Sequence, residues 1–240
     1  NNDVVRLGNT GIVPEKSWNY TIAYEHRLPN DAGALQVEFF YRDLKDYIEL
    51  VDFTEFSDAN GNPVPRADLD LISKSGNIPN AEAYGIKTTG SLRLGFIGIP
   101  DAVFSIDHTW EETNVIDQFS GISRPFKWKN DHIFTFNYRH DVTDWGLSYG
   151  FRGTIKSDNS RHEISEVANT YNGDNYEAFA EIKIWNDLKV ILKFEHITPL
   201  KYRTDIDIYN DHIRFNDLNR REQREWLYVK EYSVFLQGTF

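Results

Sequence analysis

The sequence contains no cysteine, fewer basic than acidic residues, and no long apolar run. The lack of cysteine excludes disulfides, thiol nucleophiles and the cysteine-rich sites that commonly hold structural zinc. A net charge of −11 argues against nucleic acid as a partner, because phosphate binding requires a basic surface. No segment approaches the roughly 18–20 consecutive apolar residues of a membrane-spanning helix. We therefore predict no cofactor and no metal, and no catalytic residue stands out.

What the sequence does have is a high aromatic content, 15% of the residues, arranged with a period of two. In segments such as 17–24, 35–42, 104–111 and 145–152, an apolar or aromatic residue alternates with a small or polar one. In an extended strand, alternate side chains point to opposite faces. The pattern therefore predicts β-strands that have one apolar face and one polar face.

The connections between these strands alternate between short and long. Short turns are predicted near 29–33, 95–100, 141–144 and 186–187, and long polar loops near 1–16, 53–77, 113–130, 157–175 and 210–222. This sorting is typical of outer-membrane barrels, which have short periplasmic turns and long extracellular loops. A sheet in lipid must close on itself because lipid cannot satisfy backbone polar groups. The sequence therefore predicts an all-β fold, an antiparallel transmembrane β-barrel.

The order of the connections predicts that the chain is part of a larger barrel. After the turn at 186–187 the next connection must be long, so we predict one strand over 188–209, kinked near Pro199, rather than a turn at that proline. This gives about nine strands, whereas bacterial single-chain barrels have an even number. Since the chain also lacks an initial methionine and a signal peptide, we expect residues 1–240 to be one C-terminal barrel segment.

The last nine residues are predicted to be the barrel-closing strand. One face of that strand carries the apolar residues and a glycine: Tyr232, Val234, Leu236, Gly238 and Phe240. A strand this apolar needs a neighbour on each side. We expect its second neighbour to be the first barrel strand, which lies outside this chain.

Three motifs carry a resemblance to a known family. Residues 13–20 are similar to an "L-x-P-E-x-S" strand entry, although Ile12 and Val13 stand where Leu-Lys is commoner. Residues 39–48 resemble a "YRRDIKDYI"-type strand, and residues 80–86 an "N-x-x-x-A-x-x-x-G-x-E" strand, with Lys87 where an acid is usual. With the strand from Leu188 and the terminal aromatic residue, the chain resembles the C-terminal barrel of TonB-dependent outer-membrane receptors.

The resemblance implies a barrel of about 22 strands that holds an N-terminal plug domain; neither the plug nor a TonB box is in this chain. It implies uptake of a scarce nutrient such as an iron–siderophore complex, cobalamin, haem or an oligosaccharide across a Gram-negative outer membrane. The implied partners are outer-membrane lipid, the nutrient, the inner-membrane TonB complex through the missing N-terminal region, and the barrel assembly machinery through the last strand.

Candidate ligand-contacting residues lie in two of the predicted loops. They are aromatic, basic or imidazole side chains: Arg124, Phe126, Trp128, Arg161, His162 and Tyr171. Aromatic and basic groups together suit anionic or aromatic iron chelates through stacking and cation–π contacts, and also suit stacking on sugar rings. The alternative is that these rings pack the loops or lie in the interfacial aromatic girdle. His162 beside Glu163 could ligate a metal, or could simply be solvated.

Two further classes remain open. An outer-membrane protease or phospholipase is also a barrel, but Ser105 and His108 are predicted on opposite strand faces, so no nucleophile–base pair stands out. A soluble carbohydrate-binding β-sandwich would require the aromatic faces to be buried between two sheets.

Overall fold

The computed structural model describes residues 4–185 and 188–238. The strands in this range are β1 (Val5–Leu7), β2 (Lys16–Arg27), β3 (Gly33–Asp52), β4 (Ile72–Arg93), β5 (Ala102–Ile116), β6 (Ser123–Arg124), β7 (His132–Val142), β8 (Leu147–Lys156), β9 (Asn159–His162), β10 (Glu166–Tyr171), β11 (Asn175–Trp185), β12 (Leu188–Glu195), β13 (Leu200–Tyr209), β14 (Leu218–Tyr228) and β15 (Glu231–Gln237). None of the described residues belongs to a helix long and apolar enough to cross a membrane.

Nine of these strands form one antiparallel sheet, which we call the main sheet. Its order is β15-β12-β11-β8-β7-β5-β4-β3-β2, and the short strands β1 and β6 attach to β4 and β5. Strands that follow one another along the chain lie side by side in most of the sheet, as expected for joined hairpins. Within the described residues β2 and β15 are its open edges, so the sheet does not close. The prediction of an all-β antiparallel fold is confirmed.

The two faces of the main sheet differ in chemistry. One face carries exposed apolar and aromatic side chains such as Tyr20, Ile22, Phe151 and Leu192, and Ile22 is 75% exposed. The other carries charged and polar side chains, such as Lys87, which lies beside Glu38. Because the aromatic face is exposed and no second sheet formed by residues 4–185 and 188–238 covers it, the β-sandwich alternative is wrong. An exposed apolar face of this extent suits contact with lipid.

The two ends of the main sheet also differ. Connections 28–32, 94–101 and 143–146 are short and lie at what we call the turn end. Connections 53–71, 117–131, 163–165 and 210–217 lie at the opposite end, which we call the loop end. The predicted turn at 186–187 lies outside the described residues, although Trp185 and Leu188 on either side of it are paired.

Four strands continue beyond the main sheet at the loop end and form a second sheet. This upper sheet has the order β14-β13-β10-β9 and is antiparallel. Residues 157–175 are therefore largely a hairpin, β9–β10, with only 163–165 at its tip, rather than an irregular loop. The sequence does not reveal these strands, because both faces of β9 and β10 carry polar groups and the alternation of apolar and polar residues is lost.

We predicted one strand over 188–209, kinked near Pro199, but the structure has two strands there. β12 belongs to the main sheet and β13 to the upper sheet, and residues 196–199 separate them. His196 has a left-handed backbone conformation with φ of 51°, and Pro199 has no N–H to donate to a ladder. The chain nevertheless does not turn back at Pro199, because β12–β13 is paired along its length with β14–β15.

Candidate ligand-binding site at the loop end

A buried apolar cluster joins all four connections of the loop end. Its buried members are Leu69, Leu71, Phe119, Ile164 and Ile213, which come from four different hairpins. Each hairpin tip alone exposes its apolar side chains, so burying them together stabilises all four connections at once. The loop end is therefore a packed unit to which each hairpin contributes.

Arg124 lies inside this unit and forms a buried ion-pair network. Its guanidinium donates to Asp117 at 3.0 Å and to Glu49 at 2.6 Å, and all three side chains are at most 8% exposed. Burial opposes ionisation of Asp117, but hydrogen bonds from Ser120 and Arg124 and the nearby His162 ring hold the pKa of Asp117 well below its usual range. The network fixes the connection 117–131 to the end of β3.

Phe126 and His162 also lie in the packed interior of the loop end. The Phe126 ring stacks on Tyr47, with ring centroids 4.5 Å apart. The Nδ1 atom of His162 lies 3.6 Å from the Asp117 carboxylate, which is too long for a hydrogen bond, and has no partner. No group of three or more metal-ligating side chains occurs in the described parts of the chain.

Trp128 is the most exposed of the candidate residues. Its backbone has a φ of 60°, its side chain is 49% exposed, and the Arg161 guanidinium lies 5.2 Å from its ring centroid. The backbone N–H of Trp128 donates to the backbone carbonyl of Ser160 at 2.9 Å, and this bond anchors the connection 117–131 to β9. Arg161 is in turn ion-paired with Glu163 and Glu166. Trp128 therefore presents an exposed aromatic ring, and the charge of the Arg161 guanidinium beside that ring is balanced by Glu163 and Glu166.

Tyr171 lies on β10 and borders a cleft of about 290 Å³. The Arg203 guanidinium lies 4.2 Å from the ring centroid and is ion-paired with Asp205 at 2.8 Å. The cleft lies between the connection 117–131 and the upper sheet. Its polar lining includes Lys129, Asp158, Asn159, Ser160 and Asn169.

Two features define the chemistry of this cleft. Basic side chains in and around it are ion-paired within the chain. Lys129 pairs with Glu111 at 2.6 Å and Lys127 with Glu163 at 2.8 Å, and Arg124, Arg161 and Arg203 form the ion pairs given above. Three buried atoms near the cleft have no hydrogen-bond partner: the Oδ1 atom of Asn159, which is an acceptor, and the Nε atoms of Arg161 and Arg203, which are donors. An unpartnered buried acceptor is costly unless a ligand or water donates to it.

Sequence reasoning missed the residues that hold the site together. His212 is completely buried, and its Nε2 lies 2.9 Å from Asp52, while its Nδ1 accepts from the backbone N–H of Arg214. These two bonds require a neutral ring with the proton on Nε2. His212 and Asp52 are 160 residues apart, and no spacing or motif signals such a pair.

The predicted closing strand is exposed and lies at an edge of the main sheet. Tyr232, Val234 and Leu236 are 67%, 72% and 70% exposed and continue the apolar face. β15 pairs with β12, and its other edge has no partner among the described residues. Gly238 follows the strand, and Phe240 lies outside the described residues.

The residues weighed for an enzyme are not brought together. Ser105 pairs across the sheet with Asn137 on the polar face. His108 lies on the apolar face, where its ring stacks on His132 at 5.8 Å. A nucleophile and its base must lie within hydrogen-bonding reach, and this pair points to opposite sides.

The exposed apolar face, the polar opposite face and the long connections gathered at one end define the class of transmembrane β-barrels. A family model described as TonB-dependent receptor-like β-barrel matches residues 1–121, just over half of the 240 residues. The chain therefore belongs to the TonB-dependent receptor-like β-barrel family, as its motifs indicate.

A solved structure shares the fold. The crystal structure of the siderophore receptor PirA from Acinetobacter baumannii matches 96% of this chain with a TM-score of 0.56 and 15% sequence identity. The match covers 33% of the PirA chain, so this chain spans about a third of that receptor's length. At this identity the likeness concerns the fold alone. A comparison with curated proteins found no match.

Proposed function

We propose that the chain is the C-terminal barrel segment of a receptor that takes up a scarce nutrient across a Gram-negative outer membrane, driven by the TonB complex. Family membership and the exposed apolar face support this role. The loop end would face the outside and the turn end the periplasm, because barrels of this kind have long extracellular and short periplasmic connections. The plug domain and the TonB contact would come from residues outside this chain.

We infer further that the ligand is neutral and rich in hydroxyl groups, such as an oligosaccharide. The observation that carries this inference is that Lys127, Lys129, Arg161 and Arg203 are each paired with a carboxylate of the chain. An anionic ligand would have to displace those carboxylates. A sugar can instead donate a hydroxyl to Asn159 and stack the C–H face of its ring on Tyr171, or on the exposed Trp128 next to Lys129 of the cleft, without breaking an ion pair.

An anionic aromatic iron chelate is the second candidate. It is favoured by the two aromatic rings that carry a guanidinium, Trp128 with Arg161 and Tyr171 with Arg203. A planar chelate could insert between ring and cation if the ion pairs of the arginines reorganised.

Calorimetric titration of the purified full-length receptor distinguishes the two candidates. Neutral oligosaccharides of several linkages would be compared with a ferric tris-catechol chelate and with haem. We expect an oligosaccharide to bind, and Trp128→Ala to weaken that binding by more than about 1 kcal/mol, or roughly fivefold. Trp226→Ala is the matched control, since Trp226 is 48% exposed but lies on β14 away from the cleft.

Binding of the ferric chelate or haem alone would reject the neutral-ligand inference and leave the receptor role intact. The receptor role itself is tested in cells. Uptake of the bound compound should stop when the gene is deleted or when the proton-motive force is collapsed. Uptake that persists in both cases would contradict it.

A further inference from the structure

All four strands that enter the upper sheet are interrupted at the same level. The interruptions are residues 157–158, 172–174, 196–199 and 229–230, which we call the break line. On the main-sheet side Thr154 pairs with Asn175 and Glu195 with Glu231. On the other side Asn159 pairs with Thr170 and Leu200 with Tyr228. The ladders therefore stop and resume together across neighbouring strands.

Along the break line, side chains supply most of the contacts between neighbouring strands, and one backbone hydrogen bond remains, from the Ile197 N–H to the Tyr176 carbonyl at 2.9 Å. The side-chain amide of Asn172 donates to the Ser157 carbonyl at 2.7 Å, and Asn175 contacts the His196 ring at 2.9 Å. Gly173 has no room for a side chain, because a Cβ there would lie 2.5 Å from the carbonyl oxygen of Lys201. A sheet is stiff because its strands share backbone hydrogen bonds, so it can bend along a line where few of these bonds remain.

On its far side the upper sheet is held against connections 53–71 and 117–131. The hydrogen bond between His212 and Asp52 joins the tip 210–217 to the end of β3. Arg66 donates to Asp211 at 2.7 Å and to Asp217 at 3.0 Å. The apolar cluster around Ile213 fills the space between these polar contacts. Lys127 pairs with Glu163 at 2.8 Å, and the backbone N–H of Trp128 donates to the Ser160 carbonyl, so these contacts tie the connection 117–131 to the upper sheet. We call all of these contacts together the latch.

We propose that the upper sheet is a hinged flap, which bends at the break line and is held shut by the latch. The hinge consists of a few residues at strand termini that absorb the change in backbone angles. The loss of continuous hydrogen bonding is confined to this line, while the flap itself retains its ladders.

The flap would control access to the cleft, a consequence that rests on the proposed function. Asn159, Ser160, Asn169 and Tyr171 belong to the flap, whereas Lys129 belongs to the connection 117–131. Bending at the break line would therefore separate the two walls of the cleft. Hinged elements at binding sites commonly admit and then enclose a ligand.

Distance measurements between paramagnetic labels test the hinge without any ligand, so they are independent of the uptake assay. The chain has no cysteine, so labels report only chosen positions once any cysteine elsewhere in the full-length receptor is replaced by serine. One pair, on Asn60→Cys and Gln223→Cys, spans the latch. A second pair, on Ser160→Cys and Gln223→Cys, spans the flap alone.

In the otherwise unaltered receptor we expect one narrow distance distribution for each pair. The latch variant, His212→Ala with Arg66→Ala and Lys127→Ala, should add a population at longer distance to the first pair and leave the second unchanged. Arg221→Ala is the control, since it removes an ion pair to Asp207 that lies wholly within the flap. It should change neither distribution.

Two results would overturn the proposal. If the latch variant keeps the single narrow distribution of the first pair, the break line is a rigid bend. If the distribution of the second pair also broadens, the upper sheet unfolds locally and does not move as a body.

Discussion

At the scale of single residues, the loop end is governed by ion pairs between distant parts of the chain. Glu49 and Arg124 are 75 residues apart, and Arg66 and Asp211 are 145 apart. The composition of the segment 113–130 predicts a basic, ligand-facing loop, but Arg124 is buried and paired. Sequence could not indicate this, because the partners come from other hairpins. Trp128 and Tyr171 remain the candidates whose rings are exposed.

Asp117 makes the packing of the loop end depend on pH. Its pKa in the folded chain lies below the ordinary value of 3.8, so its ionised form contributes stability that is fully present above that value. This stability is lost as the pH falls through the lower, folded pKa. We expect hydrogen exchange of residues 117–131, corrected for its intrinsic rate, to stay slow from neutral pH to about pH 5 and to accelerate below about pH 4.

The variant Asp117→Asn provides the control for this prediction. It removes the titrating group and leaves the buried Arg124 with Glu49 alone, so exchange should be faster at neutral pH and should vary less with acidification. Exchange in the unaltered chain that does not change between neutral pH and about pH 3 would contradict the role of this carboxylate.

At the scale of elements, close packing across the main sheet depends on a few glycines. A Cβ on Gly85 would overlap the carbonyl oxygen of Trp110 and approach the Phe40 ring, which lies over the glycine on the polar face. A Cβ on Gly90, in the same strand, would meet only the flexible side chains of Ile106 and Leu35, at 3.2 and 3.3 Å. The two positions thus form a matched pair.

We expect Gly85→Ala to destabilise the full-length receptor by roughly 1–3 kcal/mol, because backbone in β5 must move, and Gly90→Ala to cost much less. The denaturant midpoint of the receptor in detergent measures both. Equal effects at the two positions would show that close strand approach at Gly85 is unimportant.

Periodicity predicted the strands of the main sheet well because residues of the apolar and the polar face alternate there. It failed for β9 and β10, which carry polar residues on both faces, and the predicted loop 157–175 is wrong for this reason. The single strand predicted over 188–209 is wrong for another reason: residues 196–199 interrupt it between the two sheets, although β13 itself alternates. The alternation of short and long connections still predicted that the chain runs on past Pro199, because this alternation does not depend on which side chains the strands carry.

At the scale of the whole molecule, the two faces of the main sheet are expected to respond oppositely to charge. Ile191 and Leu192 are neighbours on β12 that point to the polar and the apolar face. We expect Leu192→Lys to reduce the amount of folded receptor in the outer membrane, at a cost of about 2–4 kcal/mol near the membrane centre. Ile191→Lys should be tolerated, since its side chain faces Glu181 across the strands.

The measurement is the fraction of receptor in outer-membrane preparations that stays folded in denaturing detergent when the sample is not heated, compared between the two variants. If both lysine substitutions were tolerated equally, the apolar face would not contact lipid, and the membrane assignment would fail.

The sequence by itself determined the fold class, the two-faced strands and the family, because these depend on local alternation, on the order of connections and on motifs of neighbouring residues. Only the tertiary structure decided which charges are neutralised, that four connections share one apolar cluster, and that four strands break at one level. Those features arise from contacts between residues far apart in the chain, and a linear pattern does not record which distant segments the folded sheets bring together.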